Sequence, residues 1–395
     1  MELKQKIQQL AEKYFDEVVA IRQHLHQNPE LSFQEHKTST YITSLLNQWG
    51  IEFKSGIANT GIECIIKGKN PDKKVVALRA DIDALPVEEQ NNISYKSINK
   101  GVMHACGHDV HTSSLLGTIR ILNELKDSFE GSVKCIFQPA EEKLPGGAKQ
   151  MIEEGVLENP APEFILGQHV YPELEVGKVG FRKGMYMAST DELYFTIQGK
   201  GGHAAMPEKI TNTVLIASQI IVALQQVPYE LAPKDIPTVL SIGKVIANGA
   251  TNVIPNEVYL EGTFRTMDEQ WRAQAHQKIK EIVSVLAEKQ GAQVEINIKK
   301  GYPVLINHET TTEQSINYAQ DYLGKQNVVD LDIRMTAEDF AYYSQEIPAT
   351  FYRLGTSSNP KNSNPLHSPN FNVDEKSLKT GMGIMAYVSI RYLND

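Results

Sequence analysis

The sequence predicts an α/β protein built on a buried sheet, with a smaller α+β domain inserted into it. Three observations carry that expectation. Short, largely apolar runs at Val75–Leu78, Val133–Phe137 and Phe164–Leu166 end in polar residues and hand over to helical patterning, and the first of them lacks alternation, the mark of a strand buried on both faces. Between about Met187 and Lys300 the strands alternate instead, and their order with the helices (strand, helix, strand, strand, helix, strand) is ferredoxin-like. A chain of 395 residues also exceeds one ordinary domain of about 100–200 residues. The expected organisation is residues 1–186 plus 301–395 as one domain and 187–300 as the insert.

In chain order, Leu3, Ile7, Leu10, Tyr14, Val18, Ile21 and Leu25 recur at three- and four-residue steps, an amphipathic helix that stops at Asn28-Pro29. His24 and His26 near its end read either as ligands or as ordinary surface or helix-end histidines. A second helix covers Glu35 to Trp49, with Gly50 placed to stop it. Strands follow at Ile62–Ile66 and Val75–Leu78. The latter runs into Asp81 and Asp83, at the sheet edge where α/β proteins gather functional groups, so these two are either supports for a site or turn formers. Next comes Met103-His104-Ala105-Cys106-Gly107-His108-Asp109, then a helix from Val110 to Leu125 with Asp109 as its N-cap. The strand Val133–Phe137 ends in Gln138-Pro139-Ala140-Glu141-Glu142. Pro145-Gly146-Gly147 then turns into a helix through Met151, closed near Gly155. The strand Phe164–Leu166 ends in Gly167-Gln168-His169, so three buried strands deliver candidate groups at their C-terminal ends.

The insert holds a strand Leu193–Ile197, then Lys200-Gly201-Gly202-His203, a helix Thr211–Val227, strands Val239–Ile246 and Val258–Phe264, a helix Asp268–Gln290 and a strand Val294–Ile298. Beyond it lie helices Thr311–Tyr322 and Ala337–Gln345, a strand Thr350–Leu354 and a helix Glu375–Tyr392. The loop Thr356–Pro369 carries Leu366-His367-Ser368-Pro369, and a loop of that length in a compact domain is more often functional than idle.

Composition narrows the classes. The formal net charge of −9 argues against a nucleic-acid partner, which needs a basic face. No uninterrupted apolar run approaches the roughly 20 residues of a membrane span, and the N-terminus has no signal-peptide pattern. Three cysteines are too few, and odd in number, for a disulfide framework. The expectation is a reduced, cytoplasmic protein with neither nucleic-acid nor membrane partners.

Cys106 and His108 are two apart and cannot share a helix face, so both belong on the loop before the helix, turned toward one point. Alone the pair is a weak signal, because buried cysteine is often inert. Glu141-Glu142 says more: adjacent carboxylates repel unless a cation or proton separates them. With a metal present, one can ligate while the other accepts a proton; the other reading is an exposed acidic loop.

Taken together, Met103–Asp109, Gln138–Glu142, Gly146-Gly147-Ala148, Gly199–Ala205, Ala337-Glu338-Asp339-Phe340 and Leu366-His367-Ser368-Pro369 resemble the aminoacylase and glutamate carboxypeptidase family of dinuclear metallopeptidases. The likeness is to its amidohydrolase branch, with hippurate hydrolase, N-acetyl-diaminopimelate deacetylase and the hydrolases of indoleacetyl-amino acid conjugates. It runs from about Ile21 to Tyr392. The resemblance implies a mixed-sheet, zinc-peptidase-like catalytic domain with an inserted ferredoxin-like α+β lid, which is also the usual dimer interface, hence a homodimer or tetramer. It implies two divalent metal ions per chain, manganese or zinc, with nickel or cobalt as alternatives. Cys106 would be the bridging thiolate, His108, Glu142, His169 and His367 the remaining ligands, and Glu141 the general base that deprotonates the attacking water and then protonates the leaving amine.

By the same resemblance His203 is the lid histidine that stabilises the oxyanion, often in the partner's site; otherwise it is a turn histidine beside two glycines. Asn252 and Arg265 would hold the substrate carboxylate, with a surface ion pair the other reading of Arg265. His104, His111 and Glu338 are read as supports, and His36, His276 and His308 as surface residues. Two departures stand out: Asp81-Ile82-Asp83 lacks the histidine of the broader family, and Cys106 replaces its bridging aspartate, so metal preference does not transfer from the zinc peptidases. The implied activity is cleavage of the amide bond of N-acyl amino acids (acetyl, benzoyl or aryl-acetyl). A dipeptidase or carboxypeptidase is the alternative within the family. From another class, a silent binding module would be expected to have lost a ligand or the base, and none is missing.

Overall fold

The computed structural model describes residues 2–395. Helices α1 (Leu3–Lys13) and α2 (Phe15–Gln27) follow the expected apolar spacing, burying Ile7, Ala11, Val18, Ile21 and Leu25. The single expected helix is interrupted at Tyr14, whose φ of −94° and ψ of 0° leave the helical region for one residue. Its hydroxyl donates to Glu124 and its ring lies under the Arg120 guanidinium. α3 (His36–Gln48) stops short of Gly50, which takes a φ of +68°. Strands β1 (Phe53–Ile57), β2 (Gly61–Lys67) and β3 (Val75–Asp81) follow, and every position of β3 is buried, as its non-alternating composition requires.

α4 (His108–Glu124) begins two residues earlier than the apolar pattern suggested. Its N-cap is Gly107 in the left-handed region, not Asp109, which sits inside the first turn with its carboxylate given to Arg22 and His26. β4 (Ser132–Gln138), α5 (Gly147–Glu153), β5 (Phe164–Glu175), β6 (Val179–Phe181) and β7 (Gly184–Met187) complete this stretch.

Next come β8 (Asp191–Gln198), β9 (Gly202–His203), α6 (Thr213–Leu224), β10 (Thr238–Ile246), β11 (Val253–Ile254), β12 (Glu257–Thr266), α7 (Glu269–Lys289) and β13 (Gln293–Lys300). After β14 (Leu305–Asn307) the chain runs through α8 (Glu309–Leu323), β15 (Val328–Asp330), α9 (Ala341–Glu346), β16 (Ala349–Ser357) and α10 (Ser377–Asn394). α9 lacks the four residues expected at its start. There Asp339 accepts from the Arg79 guanidinium, the Gln138 amide and the Ala148 N–H, a buried commitment that a regular helical turn does not displace.

Contacts divide the chain into two units. The first takes the chain up to Gly184 with Ile306–Asp332 and Asp339–Asp395. Its eight-stranded mixed sheet runs β1-β2-β4-β3-β5-β16-β6-β15, with β4, β3, β5 and β16 parallel at the centre. Its core gathers Leu78, Phe137, Leu166 and Leu354 from the sheet with Leu115, Ile119, Met382 and Ile390 from the helices. Each such side chain, fully buried, contributes about 1.5–3 kcal/mol.

The second unit takes Met185–Leu305 with Ile333–Glu338. Its antiparallel sheet is ordered β10-β12-β8-β13. β8 alternates in burial, turning Leu193, Phe195 and Ile197 toward Ile216, Ile220, Leu224, Ile279 and Val283 on α6 and α7. Asn212 and Asp268 cap those helices. His276, expected at the surface, is instead half of a buried cluster: its Nε2 lies 2.7 Å from Asp191, which also takes Arg272 at 2.6 Å. The stretch Thr213–Leu231 has the length and mean hydropathy of a membrane span, which the residue pattern did not lead one to expect. One face of α6, with Ile216, Ala217, Ile220 and Leu224, is packed into this core.

Candidate metal centre

Sheet register brings the candidate residues of the first unit together. Asp81, the last residue of β3, pairs with Gln138, so Glu141 and Glu142 lie just past the end of the neighbouring strand. On the other side Arg79 pairs with Gly167, which sets His169 level with Asp81. The loop before α4 turns sharply at Gly107 (φ +82°), where a Cβ would come within 2.5 Å of a Val170 methyl. That turn directs both Cys106 and His108 toward the strand ends. His367 holds a φ of +64°, and its N–H donates to the Ala105 carbonyl at 2.8 Å, tying the late loop to the cysteine loop. Ala140 (φ +53°) is the corresponding kink before Glu141. Non-glycine residues in this region are uncommon and tend to mark functional sites.

Five groups of donor atoms lie within 4.8 Å of one another among the described residues, and two of them contain Cys106: Cys106, His108 and His169, and Cys106, Glu142 and His367. The Cys106 sulfur belongs to both. It lies 3.5 Å from His169 Nε2, while His367 Nε2 lies 3.3 Å from Glu142 Oε1. His108 Nε2 stands 3.9 Å from both Glu141 and Glu142.

Hydrogen bonding occupies one nitrogen of each ring. His169 Nδ1 donates to the Val170 carbonyl at 2.8 Å, so its Nε2 presents a lone pair toward the Cys106 sulfur. His108 Nδ1 donates to Asp83 at 3.1 Å, and its buried Nε2 finds no hydrogen-bond partner among the described residues. Glu142 Oε1 is buried in the same condition. Buried polar atoms left without partners are costly, and a divalent cation, displacing any proton on His108 Nε2, is a group that satisfies several at once. Nitrogen, sulfur and carboxylate donors suit zinc and the later first-row metals.

The protonation behaviour agrees. Burial alone would lower the His108 pKa, but Asp81, Asp83 and Glu142 outweigh it and push it up to about 10, the signature of a pocket short of positive charge. Burial and the two glutamates hold the Cys106 thiol well above its ordinary range.

His111 is a support rather than a donor to this cluster. Its Nδ1 donates to Asp81 at 2.5 Å and its Nε2 accepts the Val170 N–H at 2.9 Å, so both nitrogens are used. Asp81 and Asp83 are supports as well: Asp83 also accepts from Ser32 at 2.6 Å and from the Glu142 N–H at 3.0 Å. His104 differs from expectation, since neither ring nitrogen has a hydrogen-bond partner among the described residues, and burial pushes its pKa down to about 4. Glu141 is buried, which rules out an exposed acidic loop.

Sequence reasoning missed several members. Arg79 bridges Asp81 (2.6 Å), Asp339 (2.7 Å) and Gln138 (2.8 Å), a buried cation balancing the aspartates beneath the site. Glu35 accepts from the Ala140 N–H at 2.9 Å and from Thr60 at 2.8 Å, and so holds the kink before Glu141. His26 is buried rather than superficial, bridging Asp109 at 2.8 Å and Glu89 at 3.1 Å. The late Ala337–Phe340 motif pointed to Asp339, but nothing local pointed to Arg79 or Glu35.

The remaining candidates lie in the second unit. His203 is exposed on β9, pairs with Val253, and accepts the Ala205 N–H on Nδ1 at 3.1 Å, which leaves Nε2–H as a donor. Asn252 is beside it, its carbonyl taking the Ala204 N–H at 3.0 Å. Arg265 is elsewhere, on β12, donating to the Met335 carbonyl at 3.1 Å. It makes no ion pair among the described residues, so a surface ion pair does not account for it.

A model of peptidase family M20/M25/M40 matches residues 77–391. An N-acyl-L-amino acid amidohydrolase of Geobacillus stearothermophilus is 40% identical over 306 residues, covering 78% of this chain and 82% of that protein. Thermostable carboxypeptidase 2 of Saccharolobus solfataricus is 36% identical over 398 residues, covering 100% of both. Among solved structures, the Bacillus subtilis YXEP protein, a dinuclear metal binding peptidase from the M20 family, matches with a TM-score of 0.84 at 34% identity over 97% of this chain and 99% of that one.

Proposed function

The chain belongs to peptidase family M20/M25/M40 and is a metal-dependent hydrolase, and from that premise we propose that it cleaves N-acyl amino acids to the free amino acid and a carboxylic acid. The observation that carries the reading is the Cys106 sulfur, shared by two donor groups with Glu141 beside them. Cys106, His108 and His169 would hold one divalent cation, and Cys106, Glu142 and His367 a second. When bound, such a pair polarises the amide carbonyl and makes water a nucleophile at neutral pH. Manganese or zinc is the proposed metal, with nickel or cobalt as alternatives; the thiolate favours the later metals.

Glu141 stands outside the two donor groups that share Cys106 and next to both, the position of a general base. It takes the proton from water as the carbonyl carbon is attacked and returns it to the amine nitrogen as the C–N bond breaks. His203, with Nε2–H available, is the proposed donor to the developing oxyanion. Asn252 and Arg265 are the proposed contacts for the substrate carboxylate, and a half-buried guanidinium without a carboxylate partner suits that role.

Glu141→Gln should lower kcat by about 10²–10⁴-fold while two metals per chain remain bound by elemental analysis; undiminished turnover would remove the assignment. A carboxypeptidase reading is favoured by one relative's activity. Comparing an N-acetyl amino acid with an unblocked dipeptide at equal metal loading separates the two. The three free cysteines support a reducing, cytoplasmic location. An apolar outer face on α6 and β10 supports a homodimer through the second unit.

A further inference from the structure

Of the residues in the two donor groups, His367 is the least held by its surroundings. Its side chain is 55% exposed, whereas Cys106, His108 and His169 are buried, so packing alone does not set its place. Backbone ties do. Its own N–H goes to the Ala105 carbonyl, and carbonyls further along the loop are taken from outside. The Gln90 N–H donates to the Pro369 carbonyl at 2.8 Å, and the Asn91 amide donates to the Phe371 carbonyl at 2.9 Å.

Gln90 and Asn91 lie on a strap, residues 86–102, that forms no helix or strand. Irregular stretches beyond about 12–15 residues are uncommon in compact domains and are usually functional. The strap is closed at its base by Leu85 and Met103, which exchange hydrogen bonds at 3.0 Å. Its hub is Glu89, only 3% exposed. The Glu89 carboxylate accepts the Asn91 amide at 3.0 Å and the Ser97 N–H at 2.7 Å, and it stands 3.1 Å from His26 Nε2 on α2. A buried carboxylate has to be met by such partners. Here they fasten the strap to α2 and aim the Asn91 amide at the late loop.

We propose that Glu89 and Asn91 are positioning residues for the second metal ion: the strap they fix holds the backbone at 369–371 and so keeps His367 beside Cys106 and Glu142. The proposal rests on the metal-centre reading above and goes beyond it, since neither residue is a donor. Groups behind a ligand set its orientation, and losing one costs about 10–100-fold in metal affinity.

Asn91→Leu removes one amide from a half-buried side chain, and Glu89→Gln replaces one acceptor oxygen by an amide that cannot take the Ser97 N–H. The metal-free proteins are titrated with cobalt(II) against a chromophoric chelator, with His367→Ala marking which binding phase belongs to the second ion. Both variants should weaken that phase about 10–100-fold and leave the other within about threefold. Ile66→Val, a core truncation in β2, lowers Tm without touching the strap and should move neither phase. If Glu89→Gln does not fold, Asn91→Leu decides alone. Weakening of both phases alike, or of neither, would overturn the assignment.

A second arm needs no metal. By hydrogen–deuterium exchange, peptides covering 366–371 should exchange faster in metal-free Asn91→Leu than in the parent or Ile66→Val, with α4 equally protected in all three. If the parent binds fewer than two ions, the paired-metal reading falls and exchange alone decides the positioning role. Equal exchange at 366–371 in parent and Asn91→Leu refutes it.

Discussion

At Cys106 the surroundings oppose ionisation: the residue is buried, and Glu141, Glu142 and Asp81 all stand near enough to disfavour a second negative charge. A structural cysteine would gain nothing from that company. A thiolate shared between two cations reverses the sign, because each nearby carboxylate then faces net positive charge. Cys106→Ala should therefore reduce metal content from two ions per chain to one or none and abolish turnover, since both donor groups lose a member. Retention of two ions by elemental analysis, with activity, would take Cys106 out of the centre. Glu141, Glu142 and His169 could be read as candidates because they follow buried strands, whereas Cys106 and His108, a weak pair alone, and His367 gained their roles only through the family resemblance. Arg79 and His26 could not be read, because what makes them part of the site is burial against partners far along the chain. Arg79 finds Asp339 across 260 positions, and His26 finds Asp109 across 83.

Among the elements, the helices were the more legible part, each falling in a stretch of three- and four-residue apolar spacing, whereas the short strands β1, β6, β7, β9, β11, β14 and β15 carry too few residues to show a pattern. Where expectation and structure part, a side chain has made a tertiary commitment that overrides local propensity: Tyr14 breaks the first helix, and Asp339 delays α9. The left-handed turn at Gly107 is the element on which the centre most depends. It ends the cysteine loop and starts α4, so two donors on either side of it move together. Gly107→Ala meets both a φ of +82° and a Val170 methyl at 2.5 Å. The strain should cost about 1–3 kcal/mol, seen as a lowered Tm, together with weaker metal binding in a chelator competition. Adding Val170→Ala should recover the steric share and leave the backbone share. An unaltered Tm and metal affinity in the single variant would show that the turn is not what sets the donors.

For the molecule as a whole, the second unit exposes several apolar side chains. α6 turns Ile216, Ile220 and Leu224 inward, yet its opposite face shows Leu215 and Val222, the latter 73% exposed. Tyr229 follows at 82%, and β10, hydrogen-bonded only to β12, adds Val245 and Ile246 along an open edge. Apolar side chains gathered on a helix face and an unpaired sheet edge in one unit invite association, and natural edges left open are usually guarded by charge or bulges. Here β10 carries an irregularity between Ile242 and Lys244, with Lys244 already paired to Glu261, and beyond it Val245 and Ile246 stay exposed. A second copy, meeting the same surface by two-fold symmetry, would cover both features without creating a new open edge. Light scattering should accordingly give the parent a mass of at least twice 44.1 kDa. The double substitution Val222→Lys and Val245→Lys places like charges opposite one another across such an axis and should yield a folded species of single mass. Both sites are more than half exposed, so neither change removes a core contact. A parent of single mass, or a variant that keeps the parent's mass, would leave this face without a partner of its own kind.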